Sequence, residues 1–336
     1  STGAARRMKL GVNALFDARG GALTRVRQLL ARWSAATYTE GHEITVFCSR
    51  FSLPLLEFVS SSRLALVECS APVPRLAGRF WAEQFRLPRE LETRGVELLF
   101  SAANTVPFRS TVPQVVYLQN LLPFSDRLRE PGYGPYFRLR TALLGRAVRR
   151  SVRRAHTTIV NSEYFGIHLL RAGSAANDRL EVIYSAADAF SSDLPPASGA
   201  PYWLSISGFY PYKHLVELIE AYAALMEHDS PPPLVLLGEA HFGRYGRMVR
   251  EAIARNGLEE RCRILDGPLP HRESLELLRN AAAFVFPSTC EACPTILVEA
   301  LRAGLPIASS RAGVMPEVCG DAAVYFNPDD PDDIRQ

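Results

Sequence analysis

No apolar run in this sequence approaches the roughly 18 residues that a membrane-crossing helix needs. The first residues, STGAARRMKL, also lack the apolar core of a signal peptide, so the expected setting is the cytoplasm. Cysteine is sparse, with six residues at 48, 69, 262, 290, 293 and 319, mostly single within apolar stretches. That distribution reads as reduced, packed thiols and not as a disulfide framework. Only Cys290 and Cys293 form a CxxC, and none of the seven histidines stands at zinc-ligand spacing from them, so no metal is expected. A net charge of +3 names no partner, and no nucleic acid is expected. Neither candidate first strand is followed by G-x-G-x-x-G, which argues against a dinucleotide-dependent dehydrogenase. Repeats and low-complexity tracts are missing too.

What remains is an ordinary globular composition, 47% apolar and 22% charged over 336 residues, long enough for two α/β domains. From Lys9 onward, short β-branched or aromatic runs alternate with segments of helical period, the pattern of a parallel sheet covered by helices. Residues 9–16, 43–49, 64–69, 97–102, 114–120, 157–162 and 180–185 are candidate strands of a first domain, 8–189, with helices expected over LTRVRQLLARWSAA and EYFGIHLLRAG. Residues 190–200, FSSDLPPASGA, lack periodicity and read as a linker. The alternation resumes over 201–336 with six more candidate strands and helices expected at 213–228, 244–256, 271–280 and 295–303. Met8 directly precedes the first strand, so residues 1–7 read as an extension or an expression scar. A doubly wound domain rarely stops on a helix start such as PDDPDDIRQ, so the natural chain is expected to continue, with Asp330 or Asp332 capping that helix. Capping is preferred there to metal binding by the Asp-Pro-Asp at 330–332.

One stretch concentrates chemistry: AAFVFPSTCEACPTILVEALRAGLPIASS. A buried strand ends near Pro287, a loop carries Glu291, and a helix opens behind Pro294. The backbone amides of Thr295, Ile296 and Leu297 are expected to face a ligand, where they and the helix dipole favour an anion such as a diphosphate. Glu299, one turn further, is placed to accept hydrogen bonds from vicinal hydroxyls.

This stretch resembles the donor-site signature of family 4 of the retaining glycosyltransferases, two glutamates flanking seven residues and then a Gly-x-Pro strand entry. Glu291, Pro294, Glu299, Ala300, Gly304 and Pro306 match it. Ala292 replaces the usual glycine and Cys293 the usual aromatic. The resemblance implies the GT-B fold, two Rossmann-like doubly wound domains facing an interdomain cleft. It further implies a nucleoside diphosphate sugar as donor, UDP- or GDP-linked, transfer of a hexosyl-type residue with retention, and no cofactor.

YWLSISGFYPYKHLVELIEAY is similar to the opening of the family's C-terminal domain. Gly208 and Lys213 then contact the donor, with Lys213 neutralising its phosphates. Phe209 stands where an arginine often follows the glycine, so that Lys213 acts alone or borrows Arg244 or Arg311. Glu317 aligns with a residue near the donor, its alternative being a helix-cap role. In the first half, Gly20 and Gly21 resemble the family's diphosphate-closing glycine loop. Gln119 and Asn120 replace its His-Asp or His-Asn, and with Asn104 they are candidate donor-sugar or acceptor contacts. Lys213 and Glu291 are the expected catalytic residues. The acceptor is a glycan, a lipid-linked molecule or a natural product.

Arginines 138, 140, 146, 149, 150, 153 and 154 crowd one long helical segment. They either form a solvated face or make peripheral contact with the inner face of an anionic membrane. Two other readings stay open: a nucleotide-sugar epimerase or hydrolase on the same scaffold, and a degenerate sugar-binding protein without activity.

Overall fold

The computed structural model describes all residues except 1–6, 17–20, 36–40, 60–63, 71–74, 175–176, 187–198, 240–242 and 268. The expected linker therefore lies almost wholly outside the described residues. The chain forms two compact units. The first comprises residues 1–120, 143–161 and 166–183, and the second 121–142, 162–165 and 184–336. Residues 121–142, assigned from sequence to the first domain, thus pack with the second. Ion pairs and rings explain it: Arg127 binds Asp329 at 3.0 and 3.1 Å, and the Phe137 ring lies 5.9 Å from that of Tyr210.

Among the described residues the first unit is built on seven parallel strands, β1 (Lys9–Ala14), β2 (Glu43–Cys48), β3 (Leu64–Glu68), β4 (Leu98–Ser101), β5 (Gln114–Tyr117), β6 (Thr157–Val160) and β7 (Leu180–Val182). Their order in the sheet is β3-β2-β1-β4-β5-β6-β7, the doubly wound arrangement. Every candidate strand is present, each ending one to three residues early. Its helices are α1 (Gly21–Ala35), α2 (Leu53–Leu56), α3 (Arg75–Trp81) and α4 (Leu87–Thr93); of α5 (Pro135–Arg154) and α6 (Glu163–Arg171) it holds the parts from Leu143 and from Gly166 onward, and a π-helical turn, Ala82–Arg86, joins α3 to α4. Val12, Ala14, Val26, Leu30, Val46 and Leu64 fill the core on one side of the sheet, and Leu15, Phe47, Leu87, Leu91 and Leu99 on the other. Strands buried on both faces carry near-continuous apolar runs, which is why β2 does not alternate, while β1 holds one buried polar residue, Asn13.

Among the described residues the second unit holds six parallel strands, β8 (Trp203–Ile206), β9 (Leu234–Gly238), β10 (Cys262–Asp266), β11 (Ala283–Phe286), β12 (Ile307–Ser310) and β13 (Val324–Phe326). They are ordered β10-β9-β8-β11-β12-β13. Its helices are α7 (Leu215–Met226), α8 (Gly243–Arg255), α9 (His271–Asn280), α10 (Thr295–Arg302), α11 (Met315–Cys319) and α12 (Pro331–Arg335). Asp330 caps α12, its carboxylate accepting the Asp332 amide at 3.0 Å. The strand order reverses between β8 and β11, and ligands of such sheets bind at the carboxyl ends of the strands flanking that point. Gly238 ends β9 there: a Cβ on it would stand 1.8 Å from the Ser207 carbonyl oxygen, so only glycine lets the two strand ends approach so closely.

Candidate active site

Beyond β8 the chain runs through Gly208 and Phe209 into a short 3-10 turn, Pro211–Lys213, and α7 starts at Leu215. Beyond β11 it runs through Ser288 to Pro294 into α10. These two loops are tied together, because the Tyr212 carbonyl accepts the Thr289 amide at 2.8 Å and the Thr289 hydroxyl at 3.1 Å. The result is a rigid seat for Lys213, which is 9% exposed. Its ammonium forms an ion pair with Glu291 Oε1, and the Ser288 hydroxyl donates to that same oxygen at 2.7 Å. The rings of Tyr212 and Phe286 lie under the ammonium at 5.0 and 5.5 Å, a cation–π arrangement that compensates part of its lost hydration. Lys213 and Glu291, 78 residues apart, are therefore brought together.

Glu299 sits in the second turn of α10 and is 5% exposed. The His271 imidazole, at the first residue of α9, approaches its Oε1 at 2.9 Å. Sequence reasoning missed this histidine, since a lone His at a helix start carries no spacing signal. Pro294 is the cap residue of α10 and not its first helical residue. Its carbonyl already accepts the Leu297 amide at 3.0 Å, so Leu297 is not one of the outward donors expected. The Leu297 side chain packs in the core with Phe284 and Phe286. Thr295 and Ile296 remain at the helix mouth, half-buried.

The departures from the family pattern have structural counterparts. Ala292 and Cys293 are buried, and the Ala292 carbonyl accepts the Ser162 hydroxyl at 2.6 Å, which anchors the loop. Burial pushes the Cys290 thiol up to about 12, so it is a packed thiol and not a nucleophile. Phe209 lies in the core among Leu215, Leu218 and Leu236, where an arginine would have no counter-ion. Arg311 is engaged by Asp333 at 2.8 Å and the Tyr325 carbonyl at 3.4 Å, so it is not at hand for phosphate. Arg244, at the start of α8, is exposed. The Tyr210 ring covers Gly208, where a Cβ would meet Tyr210 Cε2 at 3.1 Å.

His214 follows Lys213 with a left-handed backbone, φ 48°, a conformation that costs a non-glycine residue about 1 kcal/mol. It is held by packing. Its imidazole is 6% exposed and lies 3.7 to 3.9 Å from carboxylate oxygens of Glu130, Glu217 and Asp329. Burial lowers its pKa, while Asp329 opposes that shift. The Tyr245 hydroxyl accepts the amides of Leu215 and Val216 at 2.9 and 3.4 Å, so it caps α7 directly behind Lys213. Glu317 is a cap as well: its two oxygens accept the amides of Glu163 and Tyr164 at 2.7 and 2.8 Å. The helix-cap alternative weighed for it is therefore the one the geometry realises.

In the first unit, Asn104 adopts φ 65°, and its Oδ1 accepts the Gln119 amide at 2.7 Å. The Gln119 side chain donates to the Ala102 carbonyl at 3.0 Å and accepts from Arg25 at 3.2 Å. Both residues thus lace together the ends of β4 and β5, and Asn120 beside them is exposed. Gly20 lies outside the described residues, and Gly21 is the first residue of α1 and not a loop glycine. A buried carboxylate that no motif announced, Glu83 in the π-helical turn, accepts from Asn13 Nδ2 and Thr105 Oγ1, each at 2.8 Å. No cluster of His, Cys, Asp and Glu suited to a metal occurs among the described residues.

Residues 19–189 match the model of Glycosyltransferase Family 4, and residues 187–336 that of Glycosyl transferases group 1. The O-antigen chain mannosyltransferase B of Escherichia coli is 29% identical over 219 residues, covering 61% of this chain and 55% of that protein. The Serotype-specific mannosyltransferase WbdA of Escherichia coli is 28% identical over 243 residues, 70% of this chain and 29% of WbdA. The chain thus spans about half or less of the length of these relatives. Among solved structures, Anabaena Alr3699/HepE in complex with UDP-glucose superposes with TM-score 0.70 at 20% identity, over 98% of this chain and 88% of that one. Sucrose-phosphate synthase from Thermosynechococcus elongatus gives TM-score 0.71 at 16% identity with the same coverage. With two doubly wound units and both halves matched, the chain belongs to the group 1 glycosyltransferases, family 4, of the GT-B type.

Proposed function

We propose that the chain transfers a hexosyl residue from a nucleoside diphosphate sugar to a hydroxyl group of a glycan, lipid-linked or natural-product acceptor, with retention of anomeric configuration. The observation that carries this reading is the pairing, on adjoining loops, of Lys213 with Glu291 at the mouth of α10, with the buried Glu299 one turn inside. Glu299 would hold the ribose hydroxyls. Lys213 and the amides of Thr295 and Ile296 would meet the diphosphate, and Glu291 a hydroxyl of the sugar.

In this mechanism the bond from C1 to the β-phosphate oxygen breaks while the acceptor oxygen bonds to C1 on the same face. The departing phosphate takes the acceptor's proton. Catalysis then rests on stabilising diphosphate charge as it develops, with positive groups already in place. Lys213 and the helix end supply that charge, so no metal is invoked. The names of the Escherichia coli relatives favour mannose as the sugar, and the UDP-glucose complex of HepE favours uridine as the base.

Thermal stabilisation by UDP, GDP and ADP measures the base directly, since ligand binding raises stability with the logarithm of its concentration over Kd. Glu299→Ala and Lys213→Ala are each expected to weaken that binding at least about tenfold, the loss of one charged hydrogen bond. Normal donor binding and turnover in both variants would sink the assignment.

A further inference from the structure

In the second unit the carboxylate of Glu299 is buried in α10, and among the described residues its side chain has one partner, the imidazole of His271. The two residues stand 28 positions apart, on helices that are packed together. Leu278 of α9 shares one apolar cluster with Leu297 and Ala300 of α10, so the contact joins two fixed points. A carboxylate only accepts hydrogen bonds. Nε2 of His271 therefore carries the hydrogen and donates it to Glu299 Oε1 at 2.9 Å.

Local needs do not explain the histidine. It is the first residue of α9, behind Pro270, and the helix start has no side-chain cap. At that position the helix dipole disfavours the charged form of the ring. Its side chain is 39% exposed against 6% for Glu299, so burying the imidazole adds little. A pair of exposed charges would also be weak, but here one member is buried and the hydrogen bond fixes its orientation. That orientation bears on the ribose. An ionised carboxylate has about four acceptor sites. His271 takes one on Oε1, which stops the group from rotating and leaves the others for two neighbouring hydroxyls. Acceptors ordered in advance bind without the entropic cost of ordering them.

We infer that His271 is a positioning residue that lets Glu299 distinguish a ribose from a deoxyribose in the bound nucleotide, an inference that rests on the donor-site reading proposed above. His271 acts through Glu299 and not on the nucleotide itself. Its removal should therefore weaken only nucleotides that carry both hydroxyls. Calorimetric titration with UDP, GDP and their 2′-deoxy counterparts measures this. For whichever base binds, the parent is expected to prefer the ribonucleotide at least about tenfold, the worth of one hydrogen bond to a charged group. His271→Leu should lower ribonucleotide affinity about three- to tenfold and leave the deoxynucleotide within about twofold. His271→Gln, whose amide nitrogen can donate in place of the ring nitrogen, should recover most of the preference. In a Glu299→Ala background, His271→Leu should change neither affinity further. Thermal unfolding of each variant without nucleotide shows whether the contact between α9 and α10 has loosened.

An equal loss for ribonucleotide and deoxynucleotide would put His271 on the nucleotide or in the scaffold alone, and overturns the inference. So does a parent that prefers neither sugar, or a His271→Leu variant that keeps the parent's preference. In that last case, loss of the preference in Glu299→Ala leaves the donor reading standing. Glu299→Ala that binds both nucleotides as the parent does removes the reading and the inference together.

Discussion

The carboxyl of Glu217, in the first turn of α7, is pushed up to about 7, chiefly by burial, with Glu220, Glu130 and Asp329 adding repulsion. In the unfolded chain a glutamate titrates near 4.3. Below that value both states carry the proton, and the contribution to stability is complete. As the pH rises towards 7 the unfolded chain releases its proton while the folded one keeps it, so stability falls. Above 7 the folded state must hold a carboxylate in a poorly hydrated place. The interval corresponds to roughly 3.8 kcal/mol at about 1.4 kcal/mol per pH unit. With 32% of the side chain exposed, solvent screening reduces this to about 2 kcal/mol. His214, at 3.7 Å, does not offset it, because burial holds the imidazole neutral. Its own linkage has the opposite sign, costing stability as the pH falls below the ordinary histidine value. Glu217→Gln should therefore unfold at higher urea than the parent at pH 8, by about 2 kcal/mol, and nearly with it at pH 4, where the parent is already protonated. Taking the difference between the two proteins cancels most of the histidine contribution. Equal differences at the two pH values, or a glutamine variant that is the weaker at pH 8, would refute the reasoning.

Removing the cap on α6 with Glu317→Ala strands the amides of Glu163 and Tyr164; a loss of about 1–2 kcal/mol in urea unfolding is expected, with Glu317→Gln recovering part of it. Tyr245→Phe deletes the hydroxyl that caps α7 and should cost about 1 kcal/mol. On the proposed reading it also weakens UDP or GDP binding by calorimetry, since Lys213 lies two residues before that helix; a stability loss without an affinity loss would separate the cap from the site. Glu291→Gln releases Lys213 from its carboxylate. Affinity for the free nucleoside diphosphate should rise several-fold, about 1 kcal/mol, while turnover falls; unchanged affinity would show that the ion pair does not compete with phosphate.

The strands were legible because a parallel sheet buried on both faces writes near-continuous apolar runs into the sequence, and all thirteen strands among the described residues lie inside the segments expected. The four helices expected in the second half were found within two residues at each end, since their apolar spacing follows one face of a helix. What was illegible depends on partners far apart in the chain. Whether Glu317 faces a ligand or caps a helix is decided by the amides of residues 163 and 164, more than 150 positions away. Gln119 reads as a site residue by position, yet Arg25 and Ala102 occupy its amide. The π-helical turn, Ala82–Arg86, was invisible because its period matches neither template.

The resting site supplies each of its charged groups with a partner. Lys213 is answered by Glu291, and Glu299 lies against His271. A buried cation left alone would be costly, and the Glu291 carboxylate offsets that cost for Lys213 at 9% exposure. On the proposed reading a diphosphate must then win the lysine from Glu291, and the carboxylate so displaced is free to accept a sugar hydroxyl. A nucleotide without a sugar gives Glu291 no such hydroxyl. Discrimination between the intact donor and the spent diphosphate would follow from this exchange alone, because only the donor satisfies both halves of the broken pair.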